Sequence, residues 1–539
     1  MTAAEKRVIV ASSLGTVFEW YDFYLVGALA AEISRHIFSG VNPAAAFIFT
    51  LLGFAAGFAV RPFGAIVFGR LGDMVGRKYT FLLTIVLMGA ATFAIGLLPG
   101  YASIGIAAPV IFIAMRMLQG LALGGEYGGA VTYVAEHAPD DRRGAWTSWV
   151  QITASLGLLL ALGMILGLRH ALGEAAFSEW GWRLPFLFSI VLLGISVWMR
   201  LKLDESPAFR RMKAAGRTSK APLSEAFGRW GNLKLVLVAF IGLAMGQAVI
   251  WYTGQFYSLF FLTQTLKVDG ATAALLVALA TVLSVPFYFL TARLSDRIGR
   301  KPVFMAGLLS GILFFFPLYQ ALTHYVNPAL EVAQRNAPIT VTADPAECSL
   351  QFNPVGTAKF LSSCDVARAS LSKAGLNYST AAAAPGAVAR IGIGSRTIDA
   401  YDARTADPSQ AEAFDSELRD ALREAGYAAK ADPAAIDKPM AVLVLLALMV
   451  CGTITYGPLA ALLVEMFPTR IRYTSLSLPY HVGIGWFGGF LPAAAFAIVA
   501  ATGNIYSGLW YPVVIASIAL VVCLLFLKET RGADIHAGE

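Results

Sequence analysis

The chain has 539 residues, of which 57% are hydrophobic and only 14% are charged, and its mean hydropathy is +0.65. A water-soluble protein of this size needs more charge at its surface, so the composition excludes a soluble globular fold and indicates an integral membrane protein. The formal net charge of +7 does not indicate nucleic-acid binding, because the basic residues are scattered through short segments between apolar runs.

Twelve apolar segments are each long enough for a helix to cross a hydrocarbon core about 30 Å thick. Because lipid offers backbone amides no hydrogen-bond partner, the sequence predicts helices here and not open strands. The opening residues lead straight into the first segment without a cleavage site, so we expect that segment to be retained. The predicted spans are 8–31, 47–69, 79–98, 105–133, 147–169, 184–201, 234–262, 272–291, 303–322, 440–464, 474–501 and 508–527.

The lysines and arginines of the short loops predict the orientation of the chain, because such residues concentrate on the cytoplasmic side. The short loops of the opposite side hold only Arg35, Arg169, Arg183 and Lys267. We therefore expect a multi-pass protein of the cytoplasmic (inner) membrane with both termini in the cytoplasm. The basic residues assigned to the cytoplasmic side are Lys6, Arg7, Arg70, Arg77, Lys78, Arg142, Arg143, the runs 200–234 and 293–301, Arg470, Arg472, Lys528 and Arg531.

Two polar segments interrupt the spans and define the predicted organisation of the chain. The basic segment 202–233 is expected to be a solvated cytoplasmic loop between two halves, held near anionic lipid. The segment 323–438 is too long for a simple loop and is expected to form a small insert outside the cytoplasm. The predicted parts are an N-terminal six-helix bundle at 1–201, the interdomain loop at 202–233, helices 7–9 of the C-terminal bundle at 234–322, the insert at 323–438, and helices 10–12 with the C-terminal tail at 439–539.

Within the insert, residues 409–430 have helix-forming composition and apolar spacing at Phe414, Leu418 and Leu422. Cys348 and Cys364 are close enough in sequence to form a disulfide on an oxidising face, or both remain free thiols. The sequence does not decide between these two alternatives.

An internal repeat relates the two halves of the chain. The sequence GRLGDMVGRK at 69–78 recurs as ARLSDRIGRK at 292–301, and Glu205 after span 6 matches Glu529 after span 12. Removal of the insert brings the two halves into register. Parallel repeats of this kind build many membrane carriers, in which a site midway through the bilayer between the halves is exposed alternately to each side.

The repeated loops contain the residues expected to form a cytoplasmic gate. In each copy the aspartate can cap the start of a helix and pair with the arginine four residues later, while glycine permits a tight turn. Such contacts hold one conformation closed and must break in the other. The gate residues are Gly69, Asp73, Arg77, Lys78, Glu136, Arg143, Asp296, Arg300, Lys301, Glu465 and Arg472.

Ionisable residues inside the spans need an explanation, because each is costly in a membrane unless it is paired or faces water. Glu19 and Asp22 continue a polar stripe along span 1, while Arg61 lies in span 2 and Arg116 and Glu126 lie in span 4. The alternating directions of the spans bring Asp22 near Arg116, and Glu19 near Arg61 and Glu126. Either these groups are static ion pairs or they bind solute and exchange protons; we favour the second interpretation.

Other polar side chains complete the predicted solute site. Tyr24 in span 1 and Gln119 in span 4 are candidates from the first half. His481 can titrate, but we expect it to be hydrogen-bonded inside the bundle. Close packing of another helix is expected at the glycines of span 4. The candidates from the second half are Gln247, Trp251, Tyr252 and Tyr480.

Together, the repeated loop motif and the basic central loop resemble the major facilitator superfamily. Within it, the chain resembles the metabolite:proton symporters at 18–24, 61–64, 116–129 and 204–207. The resemblance implies an all-α membrane fold of twelve helices in two six-helix bundles that work by alternating access. It also implies that Asp22 and Arg116 couple transport to protons. The insert, and Met74 where a basic residue is common, depart from the pattern of that family.

The resemblance implies solutes such as oxoglutarate, citrate or shikimate, or zwitterions such as proline and betaine. Because the guanidinium groups of Arg61 and Arg116 suit a carboxylate, we predict proton-coupled symport of a small carboxylate-bearing metabolite. Uptake of a zwitterionic osmolyte, efflux by the same fold, and a non-transporting membrane sensor are the alternatives. We expect no enzyme activity, cofactor or metal site, and no nucleotide-binding loop. The expected partners are the solute, protons and lipid, without nucleic acid, and the expected state is a monomer.

Overall fold

The computed structural model describes residues 3–39, 43–202, 204–349, 360–533 and 535. Ten helices among these residues are long and apolar enough to cross a membrane. Two long helices precede them, Ala3–Ala28 as span 1 and Pro43–Met74 as span 2. Spans 3 to 12 are Arg77–Leu97, Ala107–His137, Arg143–Leu172, Gly181–Leu201, Trp230–Thr265, Gly270–Ile298, Arg300–Val326, Lys438–Met466, Thr469–Thr502 and Ser507–Phe526.

These twelve spans form two six-helix bundles, so the predicted fold is confirmed, and each predicted segment overlaps one span. Several helices run further than the apolar segments, because polar residues beyond the apolar run still form helix, as at Arg77 and Arg300. Short helices connect the spans of the first half, and two more lie in the interdomain loop. These connecting helices are Ala30–Ile37, Tyr101–Ile104, Glu174–Glu179, Pro207–Ala214 and Pro222–Gly228.

Spans 7 and 11 are irregular within the described part of the chain. Span 7 contains π-helical segments at Val238–Met245, Thr253–Tyr257 and Phe261–Thr265, and span 11 contains one at Gly483–Gly488. A π-helical turn shifts the direction in which later side chains point, and such turns occur frequently at functional sites. Both irregular helices belong to the second half and pack against each other.

The glycines of span 4 serve two different contacts. A Cβ atom at Gly120 would lie 2.1 Å from the carbonyl oxygen of Gly57, and one at Gly124 would lie 2.2 Å from that of Arg61, so spans 2 and 4 touch backbone to backbone. Further along, a Cβ at Gly128 would lie 2.0 Å from Oγ of Ser477 in span 11. The stripe therefore joins helices within the first half and also admits a helix of the second half.

Between spans 9 and 10 the insert forms a small α/β unit. The described residues contain four strands, β1 Ile339–Ala343, β2 Ser379–Ala382, β3 Arg390–Ile393 and β4 Arg396–Asp399, in the order β2-β1-β3-β4. Strand β1 is parallel to β2 and antiparallel to β3, and β3 is antiparallel to β4. The sequence analysis did not predict this sheet, because strands of four or five residues are too short to show a clear alternation.

Two helices of the insert, Ser363–Ala374 and Pro408–Glu424, pack against this sheet. The insert also contains a 3₁₀ turn at Pro345–Glu347, and its first helix is Pro328–Asn336. The helix Pro408–Glu424 is the last of the insert. It is the helix predicted at 409–430; Asp407 caps its start, and Phe414, Leu418 and Leu422 are buried as the spacing indicated. Cys348 and Cys364 form a disulfide.

The insert is attached to the second half of the protein. The backbone amide of Tyr378 donates to the carbonyl of Gly503 at 2.6 Å, and that of Ile505 donates to Oδ1 of Asn377 at 2.7 Å. Nζ of Lys267, after span 7, donates to the carbonyl of Lys373 at 2.5 Å. The insert thus joins the ends of spans 7 and 11. We call this end of the molecule the insert face, and the opposite end, which carries the repeated loops 69–78 and 292–301, the latch face.

Candidate functional site

At the latch face, each half caps a helix of the other half. The carboxylate of Asp73 accepts hydrogen bonds from the backbone amides of Tyr473, at 3.3 Å, and Thr474, at 2.8 Å, in the first turns of span 11. Asp296 accepts in the same way from the amides of Gly144, at 2.9 Å, and Ala145, at 2.8 Å, at the start of span 5. A carboxylate at a helix N-terminus satisfies free amides and meets the positive end of the helix dipole. These two contacts therefore join the halves reciprocally.

Ion pairs reinforce both contacts. Asp73 lies 3.2 Å from Arg77, and Asp296 lies 2.5 Å from Arg300, each four residues later in sequence. Between the halves, Glu136 pairs with Arg472 at 2.7 Å, and Glu465 pairs with Arg143 at 2.8 Å. Gly69 of the first half packs on the backbone of Thr474 in the second half. All four partners in these interhalf ion pairs have buried side chains, so removal of one partner disturbs the balance of charge in a region without solvent.

Two glutamates hold the turns before spans 3 and 9. Gly76 and Gly299 have φ values of 144° and 112°, and a Cβ at either would lie within 2.5 Å of a carboxylate oxygen of Glu205 or Glu529 respectively. Glu205 accepts from the amides of Arg77 and Lys78, and Glu529 from those of Arg300 and Lys301. The lysines extend this arrangement, because Nζ of Lys78 donates to the carbonyl of Leu201 and Nζ of Lys301 to that of Leu527.

Burial raises the pKa of Glu529, but hydrogen bonds from the amides of Arg300, Arg531, Lys301 and Thr530 outweigh burial and bring the pKa below its ordinary value. A carboxyl with a lowered pKa in the folded protein stabilises the fold above its unfolded pKa, and that stabilisation is lost as pH falls through the folded value. The turn before span 9 is therefore held by an ionised carboxylate at neutral pH.

The C-terminal tail also closes the latch face, which the sequence did not indicate. The carbonyl of Ile535 accepts from Oγ1 of Thr469 at 3.0 Å and from Nη2 of Arg472 at 2.8 Å. Oγ1 of Thr530 donates to Glu465 at 2.6 Å. The tail therefore contacts both carboxylate–arginine pairs that join the halves.

Inside the first half, Glu19 pairs with Arg200 and not with Arg61. Nη1 of Arg200 lies 3.5 Å from Oε1 of Glu19, and Arg200 is also the charged partner of Glu126. The prediction that Arg61 meets Glu19 and Glu126 is wrong, and the sequence analysis did not name Arg200 as the partner of either acid. Arg200 is only 1% exposed, because span 6 runs to Leu201 and turns this side chain towards span 1.

Arg61 is enclosed by aromatic rings where the two halves meet. Its guanidinium carbon lies 5.5 Å from the ring centre of Trp20, 4.4 Å from that of Phe23 and 4.3 Å from that of Phe58. Within the described residues, no carboxylate lies within 4.0 Å of Arg61, and its Nε and Nη2 donate no hydrogen bond. Arg61 is therefore a buried cation that packs against three aromatic rings.

Asp22 and Arg116 do not pair in this structure. Asp22 is buried beside Thr92 and its Oδ1 has no hydrogen-bond partner among the described residues. Arg116 instead donates to Oε1 of Gln119 and packs on Phe23, and Nε2 of Gln119 donates to Oγ1 of Thr92 at 2.7 Å. The predicted contact fails because sequence spacing gives the depth of a residue in a span but not the direction of its side chain.

The second half presents uncharged polar groups to this region. The hydroxyls of Tyr456 and Tyr480 lie 2.8 Å apart, and the ring of Tyr480 stacks on Tyr127 of the first half with 3.6 Å between centroids. Trp251 donates to the hydroxyl of Tyr288 at 2.7 Å. Of the predicted candidates, Tyr480 is therefore directly at the contact between the halves, while the indole nitrogen of Trp251 is occupied inside the second half.

The other predicted aromatic residues line the same contact. Tyr24 lies 6.2 Å from Phe256, and Tyr252 lies 6.4 Å from Phe58, so one residue of each pair comes from each half. Both tyrosines interact electrostatically with Arg61. Tyr24 and Tyr252 therefore lie where the two halves meet, and their role in binding solute stays a prediction; the sequence analysis named neither Phe58 nor Phe256.

Several buried polar atoms of this region have no hydrogen-bond partner in the described part of the chain. They belong to Arg61, to Oε1 of Gln247 and to both ring nitrogens of His481, which interacts electrostatically with Arg61. The expectation of a hydrogen-bonded His481 is thus wrong. Buried donors and acceptors are costly when unpaired, so this set is suited to be satisfied by a polar molecule that enters between the halves.

Two related six-helix bundles, reciprocally latched at one face and enclosing unpaired polar groups between them, define a multi-pass secondary transporter of the major facilitator type. The family described as "Sugar (and other) transporter" matches residues 8–228, and the one described as "MFS/sugar transport protein" matches residues 128–342.

The chain is 36% identical to the shikimate transporter of Escherichia coli (strain K12), over 59% of this chain and 72% of that protein. It is 33% identical to the alpha-ketoglutarate permease of the same strain, over 61% of this chain and 75% of that protein. It is also 33% identical to a proline/betaine transporter of Salmonella typhimurium, over 58% of this chain and 64% of that protein. The chain belongs to the metabolite:proton symporter family of the major facilitator superfamily.

Solved structures share the fold at low identity. The proton:xylose symporter XylE of Escherichia coli, bound to 6-bromo-6-deoxy-D-glucose, aligns with a TM-score of 0.64 at 16% identity, over 99% of this chain and 98% of that chain. The human organic anion transporter MFSD10 aligns with a TM-score of 0.57 at 15% identity, over 97% of this chain and 100% of that chain. These similarities show the fold alone.

Proposed function

We propose that this protein is a proton-coupled symporter that imports a small carboxylate-bearing metabolite across the cytoplasmic (inner) membrane. Both termini lie in the cytoplasm, the latch face is the cytoplasmic face, and the insert lies outside. The observation that carries the proposal is Arg61, a buried guanidinium at the contact between the halves with no carboxylate beside it in the described structure. A solute carboxylate would supply the missing counter-charge.

The groups around Arg61 give a reason for the two halves to close on a solute. Gln247 and His481 of the second half have unpaired polar atoms, and Tyr480 stacks across the contact. A molecule with one carboxylate and further hydroxyl or carbonyl groups would bind Arg61 in the first half and these groups in the second. Because a solute shifts a conformational equilibrium only by its differential affinity, contacts to both halves favour the closed, occupied state.

Proton coupling is proposed to use the buried acids of the first half, Asp22, Glu19 and Glu126. Uptake of an anion adds negative charge to a low-dielectric pathway, and a proton taken up on a nearby carboxylate offsets that charge. The relatives that transport shikimate and alpha-ketoglutarate are consistent with a carboxylate solute.

A zwitterionic osmolyte is the second candidate solute, and a specific observation favours it. The rings of Trp251, Tyr252 and Phe256 lie 5.2–5.9 Å apart beside Tyr24, and aromatic groups of this kind bind quaternary ammonium. Proline/betaine transporters are among the relatives. Such a solute would place its carboxylate on Arg61 and its cation among these rings.

The full chain in proteoliposomes tests both candidates. We would impose an inward proton gradient and measure uptake of radiolabelled 2-oxoglutarate, citrate, shikimate, proline and glycine betaine, with and without a protonophore. The expected result is accumulation of at least one carboxylate that collapses when the gradient is removed. Accumulation of betaine alone would select the zwitterion, whereas uptake of none, or uptake indifferent to the gradient, would contradict proton-coupled import and leave efflux or sensing.

A further inference from the structure

Three buried charged residues meet between spans 1, 4 and 6 of the first half. Arg200 in span 6 lies 3.5 Å from Glu19 in span 1, and the side chains are 1% and 2% exposed. Glu126 in span 4 interacts with the same guanidinium and lies beside the hydroxyl of Thr16; it is 1% exposed. We call Glu19, Glu126 and Arg200 the charge triad.

The charge triad has one more acid than base. With both carboxylates ionised, its net charge is −1, and a net charge buried in a membrane protein is costly. The guanidinium does not give up its proton, so one carboxyl is the group that binds and releases a proton. Glu19 is hydrogen-bonded to Arg200 at 3.5 Å, whereas Oε1 of Glu126 has no hydrogen-bond partner among the described residues. Glu126 is therefore the better placed of the two acids to carry the proton.

The charge triad lies directly beside the latch contact between the halves. The hydroxyl of Tyr473 in span 11 donates to the carbonyl of Gly125, the residue before Glu126, and the amide of Tyr473 donates to Asp73. A Cβ at Gly72 or Gly129 would lie within 2.5 Å of the Tyr473 side chain, so this side chain packs directly against the backbone of the first half at both glycines. Any movement of span 4 at Glu126 therefore changes a contact that closes the latch face.

Among the described residues, the charged groups that face Glu126 belong to this arrangement. Arg200 faces it from span 6, Glu19 from span 1 through the same guanidinium, and Tyr473 from span 11. Tyr473 in turn interacts with Arg77 and Asp73 at the turn between spans 2 and 3. The proton on Glu126 is thus placed to act on the latch.

We propose that Glu126, balanced with Glu19 against Arg200, binds the transported proton, and that its protonation state controls the contact of Tyr473 at the latch face. Protonation forms one O–H bond on the Glu126 carboxyl and changes the net charge of the charge triad from −1 to zero; the proton leaves to the solution on the other side after the latch opens. Arg200 is a positioning residue that sets the affinity of Glu126 for the proton. This inference refines the proposed proton coupling and rests on it only for the link to solute.

A solute-free measurement tests the inference independently of the transported molecule. We would replace the exposed residues Arg142 and Arg297 by spin-labelled cysteines, and Cys451 and Cys523 by alanine. Double electron–electron resonance in nanodiscs then measures the distance between the halves at the latch face. For the otherwise unchanged protein, we expect the ratio of the two distance populations to change at least about fivefold between about pH 5 and about pH 9. Glu529, whose pKa is lowered, stays ionised over this range.

In the Glu126→Gln variant, we expect the distance populations to be independent of pH and to match those of the unchanged protein at low pH. The matched control is Glu32→Gln, which removes another buried acid of the first half, paired with Arg169 at 2.5 Å near the insert face; this variant should keep the full pH response. An E126Q protein that keeps the pH response, or a control that loses it equally, would overturn the inference.

The Arg200→Gln variant gives a second test if E126Q does not fold. Removal of the cation favours the protonated, neutral carboxyl, so the midpoint of the pH response should move to higher pH. A midpoint that stays or moves lower would contradict the proposal. A pH response in this assay without solute uptake in proteoliposomes would reject the proposed solute while supporting the proton-controlled latch. Proton-driven solute uptake by the E126Q protein would support the proposed function and reject Glu126 as the proton-binding group.

Discussion

The two halves of the protein are close copies at the latch face and differ in the membrane interior. Asp73 and Asp296 each cap a helix of the opposite half, and Glu136 and Glu465 each pair with an arginine of the opposite half. In the interior, the first half contains all the buried acids and arginines that the described spans hold besides the residues of the latch itself. They are Glu19, Asp22, Arg61, Arg116, Glu126 and Arg200.

The interior of the second half instead contains aromatic hydroxyls, Gln247 and His481. The comparison separates two requirements. The two copies of the latch make the same kinds of contact, whereas the interiors of the two halves contain different types of side chain. The charged groups of the proposed proton and anion contacts lie in the first half. Aromatic side chains and neutral hydrogen-bonding groups lie in the second half, where the π-helical segments of spans 7 and 11 redirect side chains.

The largest expected effect is on Arg61, because it is the cation of the proposed solute site. Arg61→Gln should reduce gradient-driven uptake of the selected carboxylate at least about 30-fold, since removal of one partner of a buried charge pair costs about 2–5 kcal/mol. Uptake and equilibrium binding in proteoliposomes measure the change. Arg183→Gln is the control, because Arg183 donates only to backbone carbonyls near the insert face. Unchanged solute binding in the R61Q protein would remove Arg61 from the site.

The sequence predicted the spans, the repeat and the aspartate–arginine pairs of the repeated loops, and it did so because length, apolar composition and a recurring motif are local properties. It did not predict the partner of Glu19. Arg200 is followed by the basic residues of the interdomain loop, and hydropathy alone groups it with them. The pattern of Ser189, Ser196 and Arg200, all buried on one side of span 6, would have revealed a polar stripe like that of span 1.

Contacts between distant spans were the part that sequence could not supply. The depth of Asp22, Arg61 and Arg116 in the membrane followed from the alternating directions of the spans, but the rotation of each helix about its axis did not. That rotation is fixed by packing, such as the backbone contact of Gly120 with Gly57. The tail contact at Ile535 was missed for a related reason, because a backbone carbonyl carries no residue-specific pattern.

The two copies of the latch give the second prediction, which compares the halves directly. Asp73→Asn and Asp296→Asn should each weaken the closed latch about tenfold or more, because a hydrogen bond to a charged group contributes about 1.5–3 kcal/mol. Transport rate should change while equilibrium solute affinity stays nearly intact. Spin-label distances and rates of uptake measure the effect.

Asp141→Asn is the control for both latch variants, since Asp141 is 74% exposed and its pair with Arg142 lies at the surface. Equal effects of the two latch variants would indicate that both copies contribute equally to the stability of the closed latch. Loss of solute binding with normal opening and closing would refute the assignment of either aspartate to the latch.

A smaller effect is expected in the second half. Tyr480→Phe keeps the ring stacked on Tyr127 but removes the hydroxyl that lies 2.8 Å from Tyr456, so solute affinity should fall about fivefold, equivalent to about 1 kcal/mol. Tyr319→Phe is the matched control, because its hydroxyl bonds Thr253 inside the second half. A loss as large as that of the R61Q protein would show that the second half contributes more than neutral hydrogen bonding.

The smallest effect on transport is expected from the disulfide of the insert. The double variant Cys348→Ser, Cys364→Ser opens a bridge between residues 16 positions apart, and such a bridge stabilises by about 3 kcal/mol, so limited proteolysis should cleave the insert faster. Uptake should stay within about twofold of the original. The reason is that the described hydrogen bonds of the insert to the bundles reach only the second half, for example at Lys267, Gly503 and Ile505, so we expect the insert to move together with that half. A fall in uptake comparable to that of the latch variants would instead place the insert among the gating elements and make the insert face a second point of asymmetry between the halves.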